Sequence, residues 1–195
     1  MITVCTWFWG DKYSRDYVTK LKNGVDRHLK QPHQFICFEP DGDETRGCLC
    51  RIRMFDPEWQ EGRGFGRLVC IDLDSIIVGP LDPLFDRPEP FVIAAGLNMR
   101  NLCPFNCSLM MLRMGAHPEV WTDLKDWAGD DQEWLAHKLP NAATWTFRDG
   151  IYGYAKPGWR SRGAGYPDDA RIVTFAGASD PSQFISLNWV RENWV

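Results

Sequence analysis

The sequence lacks any apolar stretch that approaches the roughly 20 residues needed to span a bilayer as a helix. A basic leader is also missing, since the apolar segment at residues 2–9 follows almost directly on Met1. Internal repeats and low-complexity segments are absent as well. These absences predict a cytoplasmic protein without a transmembrane segment.

An excess of positive charge is missing too. The 195 residues include 22 Lys and Arg against 26 Asp and Glu, which gives a formal net charge of −4. A protein that binds DNA or RNA mainly through phosphate contacts needs the opposite balance. Nucleic acid is therefore not an expected partner, whereas a local basic pocket for a diphosphate is compatible with this charge.

Cysteine pairs with the spacing of a metal site are missing, although the chain contains seven cysteines. Their number is odd, and most lie inside apolar runs: Cys5, Cys37, Cys70, Cys103 and Cys107. This distribution predicts buried free thiols, not a disulfide framework or a structural zinc site. The four histidines lie outside any recognisable motif, which favours surface or helix-end positions over catalysis.

What the sequence does contain is an alternation of strand and helix patterns. Residues 2–9 predict a strand, residues 16–29 a helix with apolar side chains on one face, and residues 34–38 a second strand. Strand, helix and strand in this order open a parallel sheet with a crossover helix. The length suits one domain, spanning residues 1–195.

The same patterns continue along the chain. Apolar runs predict strands at residues 49–55, 67–71, 91–95, 106–112 and 171–175, and helical patterns are present at 118–127 and 131–138. Gly129 and Asp130 lie between the two helices, where they predict a cap. The expected fold class is α/β, a mostly parallel, partly mixed sheet with helices on both faces.

Two carboxylates, Asp72 and Asp74, follow directly on the predicted strand at residues 67–71. Ligands of open α/β sheets bind at the carboxyl ends of the strands. Like charges this close favour protonation of one carboxylate unless a cation lies between them. Carboxylate oxygens suit Mn²⁺ or Mg²⁺, which also bridge phosphate oxygens, so the pair predicts a metal site. A pair of solvated turn carboxylates is the alternative interpretation.

Residues 67–85 resemble the core segment of the GT-A-fold glycosyltransferases, in which an apolar strand is followed by D-x-D, a short apolar run and a Leu-Asp-Pro-Leu-Phe turn. Further matches follow in the family's order. Residues 105–112 resemble its F-N-S/A-G-V-M-L strand, residues 131–132 its D-Q pair, and residues 168–177 its late segment ending in F-H-G. Thr6, Trp7, Lys12 and Tyr13 resemble its first loop, so the resemblance extends from residue 2 to about residue 182.

The resemblance implies a GT-A-like glycosyltransferase that moves a sugar from a nucleoside diphosphate sugar, expected to be a UDP-sugar, to a hydroxyl of a carbohydrate or other acceptor. Asp72 and Asp74 would hold Mn²⁺ or Mg²⁺, and Asp131 and Gln132 would act at the sugar. Asp131 could instead cap the helix that it begins. The donor would contact the following residues: Thr6, Trp7, Lys12, Tyr13, Arg67, Asn106, Ser108 and Lys156.

Two positions depart from the family's pattern. Ala176 stands where the family has the His that completes its metal site, and Asp180 stands where a Lys often precedes the proline. A degenerate nucleotide-binding domain without transfer activity is therefore one alternative. Another is a haloacid-dehalogenase-type phosphatase, whose first motif is also D-x-D, with Asp72 as nucleophile and Asp74 as general acid.

Overall fold

The computed structural model describes residues 1–40, 47–97, 102–156, 158–161, 165–175 and 177–195. The strands are β1 (Ile2–Trp7), β2 (His33–Phe38), β3 (Arg67–Ile71), β4 (Ser75–Ile77), β5 (Phe91–Ala95), β6 (Phe105–Arg113), β7 (Ala143–Trp145), β8 (Ile151–Gly153) and β9 (Ile172–Thr174). The α-helices are α1 (Arg15–His28), α2 (Pro57–Gln60), α3 (Asp82–Phe85), α4 (Glu119–Thr122), α5 (Asp131–Lys138) and α6 (Asn188–Asn193). Three 3₁₀ segments cover Gly47–Phe55, Phe147–Asp149 and Pro181–Phe184.

Six strands form the main sheet in the order β2-β1-β3-β6-β5-β7. β1 is parallel to both β2 and β3, and β5 is parallel to β7. β6 runs antiparallel to both of its neighbours. The mostly parallel, mixed α/β sheet predicted from the sequence is confirmed. Because β6 alone is reversed, the carboxyl ends of β1, β3, β5 and β7 and the start of β6 meet at one edge.

A second, three-stranded sheet has the order β4-β9-β8 and begins directly after Asp74. β4 pairs antiparallel with β9, and the buried hydroxyls of Ser75 and Thr174 lie 3.0 Å apart across this pair. The backbone N–H of Phe175 donates to the carbonyl of Asp74 at 3.0 Å. The late segment of the chain is thereby attached to the end of the D-x-D turn.

β1 is buried along its whole length because apolar clusters cover both faces of the sheet. Ile2 and Val4 join the cluster that includes Val25 of α1, whereas Cys5 and Trp7 join the opposite cluster, which includes Ile52 of the first 3₁₀ segment. The alternation follows from the period of two along a strand. Apart from Thr3 and Thr6, β1 is apolar, as a strand in the interior of a parallel sheet is expected to be.

Three sequence predictions about local structure were wrong or incomplete. Residues 49–55 form part of the 3₁₀ segment Gly47–Phe55, since a short apolar run fits a buried helical turn as well as a strand. The helix predicted over residues 118–127 is the single turn of α4, and Asp126 just beyond it has a left-handed backbone with φ of 60°. The elements that were not predicted are β4, β7, β8, α2, α3 and α6, because elements of three to six residues carry little periodicity.

All seven cysteines are free, and Cys5, Cys50, Cys70 and Cys107 are buried. Among the described residues, no helix combines the length and the apolar character that crossing a membrane would require.

Candidate functional site

The D-x-D turn lies between the two sheets at the carboxyl edge of the main sheet. The N–H of Asp72 donates to the carbonyl of Ser108 at 2.9 Å, which extends the β3–β6 pairing by one residue. The N–H of Ser75 donates to the carbonyl of Asp72 at 3.1 Å and closes the turn. Backbone hydrogen bonds to β6 and β9 therefore fix the positions from which both carboxylates project.

Asp74 has a buried carboxylate whose two oxygens differ. Oδ2 accepts a hydrogen bond from the Tyr13 hydroxyl at 2.8 Å, whereas Oδ1 has no hydrogen-bond partner among the described residues. Burial, with a further contribution from the charge of Asp72, raises the pKa of Asp74 to about 7. A buried, unpartnered carboxylate oxygen is costly, and a bound cation is a group that would satisfy it.

Arg51, which sequence reasoning did not single out, lies at the centre of the site with 8% of its side chain exposed. Its Nη1 donates to Asp72 Oδ1 and, at 2.9 Å, to the carbonyl of Cys107. Its Nε lies 3.0 Å from Oδ2 of Asp131, an ion-pair contact without hydrogen-bond alignment. Burial acts to lower the pKa of Arg51, but the charges of Asp72 and Asp131 outweigh it and hold that pKa well above its usual value.

One signal in the sequence could have identified Arg51. It stands in the otherwise apolar run Leu49, Cys50, Arg51 and Ile52, and a charged side chain in such a run is buried only if it has a partner. The partners are Asp72 and Asp131, which come from the D-x-D turn and the start of α5. Arg51 thus joins two segments that the sequence separates by about 60 residues.

Asp130, not Asp131, caps α5. Oδ1 of Asp130 accepts from the N–H of Glu133 at 2.8 Å, and the Glu133 carboxylate accepts from the N–H of Asp130 at 3.3 Å, which completes a capping box. Asp131 is the first helical residue, and its carboxylate is buried against Arg51. Burial raises the pKa of Asp131 above its usual value, although Arg51 acts in the opposite direction. The capping interpretation of Asp131 is therefore wrong.

Replacing Asp130 by alanine is expected to lower the free energy of unfolding by about 1 kcal/mol, because the first turn of α5 loses its cap. The melting temperature should fall by roughly 2–4 °C for a chain of this size. Ligand binding should be unchanged, since the side chain of Asp130 bonds within the first turn of α5, whereas the carboxylates paired with Arg51 are Asp72 and Asp131. Thermal denaturation of Asp130→Ala measures the change, and an unchanged melting temperature would contradict the capping role.

A bulge in the pairing of β5 with β6 contains Ser108 and begins next to Asn106, near the D-x-D turn. Ile93 of β5 pairs with Met110, but Ala94 pairs with Asn106, so residues 107–109 have no partner on β5. Such bulges often re-aim side chains beside active sites. Oδ1 of Asn106 accepts from the N–H of Ser108 at 3.0 Å, and the buried Ser108 Oγ has no partner among the described residues.

The predicted first-loop residues divide into two groups. Thr6 is fully buried, and the Trp7 ring packs in the core against Phe38 and Trp59, with ring centroids 5.3 and 5.9 Å apart. The prediction that the Trp7 ring contacts the nucleotide is not supported by this position. Lys12 is exposed, its charge acts on Asp74, and its Nζ lies 4.6 Å from the ring centroid of Tyr13. Lys12 and Tyr13 are therefore the members of this loop that the fold brings to Asp74.

Arg67 is a correction to the predicted site. It begins β3 and donates to the carbonyl of Glu89 at 3.2 Å, whereas Asp72 follows the last residue of the same strand. Five residues of extended chain separate them by about 16 Å. Arg67 therefore lies at the opposite edge of the sheet from the D-x-D turn, and it is not brought to the site.

Lys156 folds back over β8. A Cβ added to Gly153 would lie 2.7 Å from Cγ of Lys156 and 3.3 Å from Cβ of Leu97, so only glycine allows this approach. Leu97 follows β5 and Gly153 ends β8 beside Thr174, which places the Lys156 stem near the edge that carries the D-x-D turn. The stem of Lys156 is therefore packed against Gly153.

Ala176, the position at which the family has its His, lies outside the described residues. Nearby Asp180 accepts from the Tyr17 hydroxyl at 2.6 Å and from the N–H of Ser182 at 2.8 Å, so it caps the segment Pro181–Phe184. In the part of the chain that the structure describes, no group of three or more His, Cys, Asp or Glu residues could hold a metal ion. The candidate side-chain ligands for a metal ion therefore remain Asp72 and Asp74.

No protein-family model matches this chain, and no curated protein matches it. Solved structures do match. The galactosyltransferase LgtC, in complex with donor and acceptor sugar analogues, is 12% identical, with 100% of this chain and 97% of LgtC covered and a TM-score of 0.64. A glycosyltransferase involved in glycosylation of the major capsid of PBCV-1 is 13% identical, with 91% and 94% covered and a TM-score of 0.64.

The apo form of the glycosyltransferase GlyE from Streptococcus pneumoniae TIGR4 is 12% identical, with a TM-score of 0.65. It covers 92% of this chain, but this chain spans only 55% of GlyE. At these identities the likeness shows the fold alone. The chain has the GT-A-like fold of these glycosyltransferases over nearly its full length.

Proposed function

We propose that this protein is a glycosyltransferase that moves a sugar from a nucleoside diphosphate sugar, expected to be a UDP-sugar, to a hydroxyl of a carbohydrate or other acceptor. One observation carries the proposal. Asp72 and the buried Asp74, one of whose oxygens is unpartnered, stand at the ligand-binding edge of a fold shared with glycosyltransferases. LgtC, which shares that fold, was solved with donor and acceptor sugar analogues.

The charges of the site fit a divalent cation. Asp72, Asp74 and Asp131 contribute three carboxylates, whereas Arg51 contributes a single buried positive charge and contacts two of them. Mn²⁺ and Mg²⁺ prefer oxygen ligands such as the carboxylates of Asp72 and Asp74. When bound, either ion would neutralise charge on the leaving diphosphate. Lys12 is exposed beside Asp74 and is available to phosphate oxygens, and Lys156 reaches toward the same edge.

The donor sugar would lie between the D-x-D turn and α5. Arg51 holds Asp72 and Asp131 in a fixed arrangement, and Oδ1 of the buried Asp131 accepts from the N–H of Gln132 at 2.9 Å, so this carboxylate fixes the start of α5 beside the D-x-D turn. Gln132 follows Asp131, and Asn106 and Ser108 line the bulge of β6.

A thermal-shift screen of nucleoside diphosphates and their sugars, with and without Mn²⁺, tests the proposal. UDP at a hundred times its dissociation constant should stabilise the protein by about 2.7 kcal/mol. This corresponds to a rise of roughly 5–11 °C in melting temperature. The rise should need both nucleotide and metal, because the diphosphate and the two aspartates together supply the ligands. No stabilisation by any nucleoside diphosphate in the presence of metal would contradict the proposal.

Release of UDP from a UDP-sugar separates the active enzyme from its degenerate alternative. Metal-dependent binding followed by slow hydrolysis or transfer is the expected result. Binding without turnover of any donor would favour a nucleotide-binding domain that transfers nothing. Covalent labelling of Asp72 by an aspartyl-phosphate mimic is not expected, and finding it would favour the phosphatase.

A further inference from the structure

The Tyr13 hydroxyl is the described hydrogen-bond donor to the Asp74 side chain. It donates to Oδ2 at 2.8 Å, and the opposite oxygen, Oδ1, is buried without a partner among the described residues. A carboxylate has two equivalent oxygens and a broad, roughly two-fold torsion about its terminal bond. A hydrogen bond to one oxygen removes this equivalence and leaves the other oxygen for a ligand.

The ring of Tyr13 is held in place independently of Asp74. Its centroid lies 4.9 Å from that of Tyr17, one turn further along the start of α1. The Tyr17 hydroxyl donates to Asp180 at 2.6 Å. The rings of Tyr17 and Trp194 pack in a T-shaped arrangement with their centroids 4.9 Å apart. The Tyr13 hydroxyl is therefore presented to Asp74 by a packed aromatic pair.

We propose that Tyr13 is a positioning residue for the metal site, whose hydroxyl orients the Asp74 carboxylate so that Oδ1 coordinates the cation. The inference rests on the proposed metal site at Asp72 and Asp74. Groups that hydrogen-bond a metal ligand fix its orientation, and their loss typically weakens metal binding by about 10–100-fold. Oδ1 is buried and has no hydrogen-bond partner among the described residues, so it is the oxygen of this carboxylate that lacks a ligand.

Tyr17 provides a matched control within the same pair of rings. Each tyrosine donates one hydrogen bond to a carboxylate, but Asp180 caps the 3₁₀ segment Pro181–Phe184. Tyr13→Phe and Tyr17→Phe both keep the two packed, tilted rings, and each removes one hydroxyl. A purely structural role predicts similar effects of the two substitutions, whereas a positioning role predicts that they differ in metal binding.

Calorimetric titration of Mn²⁺, with and without saturating UDP, tests the inference on wild type, Tyr13→Phe, Tyr17→Phe and Asp74→Asn. Tyr13→Phe should bind Mn²⁺ about 10–100-fold more weakly. Tyr17→Phe should bind Mn²⁺ like wild type, and Asp74→Asn should not bind it measurably. Melting temperatures without metal check that the two phenylalanine variants are folded. If Tyr13→Phe fails to fold, Tyr13→Leu, which is apolar and has no side-chain donor, takes its place.

Three results would overturn the inference. If Tyr13→Phe binds Mn²⁺ like wild type while Asp74→Asn does not, Tyr13 does not position the ligand, but the metal site stands. If Tyr13→Phe and Tyr17→Phe weaken binding equally, the effect is a general property of the aromatic pair. If wild type binds Mn²⁺ no better than Asp74→Asn, the proposed metal site itself fails, and the role of Tyr13 fails with it.

Discussion

Replacing Asp74 by asparagine is expected to abolish metal-linked nucleotide binding and, at neutral pH, to stabilise the metal-free protein. Asparagine keeps the shape of the side chain and can still accept the hydrogen bond from Tyr13. The substitution removes the negative charge of the buried Asp74 carboxylate. This carboxylate lies beside Asp72, and its Oδ1 has no hydrogen-bond partner among the described residues. The same charge is needed by a cation, so binding and apo stability should change in opposite directions, as is common at functional sites.

The stabilisation expected from Asp74→Asn should depend on pH. The folded-state pKa of Asp74 is raised to about 7 by burial and by Asp72, against about 3.9 for an unfolded aspartate. Between these values the folded state binds more protons, so the contribution of Asp74 to stability falls as the pH rises through this window. The melting temperature of Asp74→Asn minus that of wild type should therefore be near zero at about pH 4 and largest above about pH 7.

The metal affinity of wild type should rise over the same range. A cation competes with the proton on Asp74, so Mn²⁺ should bind more tightly as the pH increases toward 8 and should release a proton when it binds at lower pH. Calorimetry in two buffers of different ionisation enthalpy measures that release. If Asp74→Asn binds UDP as tightly as wild type in the presence of Mn²⁺, Asp74 is not a metal ligand.

Asp180→Asn is a matched control for this substitution. Asp180 also accepts a hydrogen bond from a tyrosine hydroxyl. Although burial acts to raise the pKa of Asp180, its hydrogen bonds with Ser182 and Tyr17 lower that pKa overall. The folded state therefore favours the charged form of Asp180, and its contribution to stability is lost as the pH falls. Asp180→Asn should destabilise the protein at neutral pH, opposite in sign to Asp74→Asn.

β3, which precedes the D-x-D turn, and β5 could be predicted because each is a continuous run of mostly apolar residues. β3 and β5 have the bounds expected from the sequence, and α5 begins and ends as predicted. The position of Asp72 and Asp74 at the carboxyl edge of the sheet could be predicted because the pair directly follows a predicted strand. These predictions depend on local patterns of period two or 3.6, which need no knowledge of tertiary contacts.

The centre of the site could not be predicted in this way. Arg51 belongs to a segment that was expected to be a strand, and its two carboxylate partners lie 21 residues and 80 residues further along the chain. Such a pairing is decided by tertiary packing and leaves no periodic signal. The roles of Asp130 and Asp131 were separated only by geometry, since either carboxylate could cap a helix that begins at this point.

Arg51→Met is expected to destabilise the protein by about 3–5 kcal/mol, because the loss of one member of a buried ion pair leaves an uncompensated charge. For a chain of this size the melting temperature should fall by roughly 6–20 °C. Arg67→Met removes an arginine from the opposite end of β3, where the guanidinium is half-buried and donates to the Glu89 carbonyl. Loss of one such hydrogen bond usually costs about 1 kcal/mol, well below the loss expected for Arg51→Met, so Arg67→Met serves as the control.

The double variant Arg51→Met/Asp131→Asn separates charge from packing. If the uncompensated charge of Asp131 causes much of the loss, neutralising that carboxylate should restore part of the melting temperature in the Arg51→Met background. In wild type the same Asp131→Asn change should have a smaller effect than Arg51→Met, because Arg51 keeps Asp72 as a partner and burial already raises the pKa of Asp131. Thermal denaturation of the four proteins in this cycle measures the coupling energy. A coupling near zero would mean that Arg51 contributes through the packing of its stem, and that the contact with Asp131 does not hold α5 against the D-x-D turn.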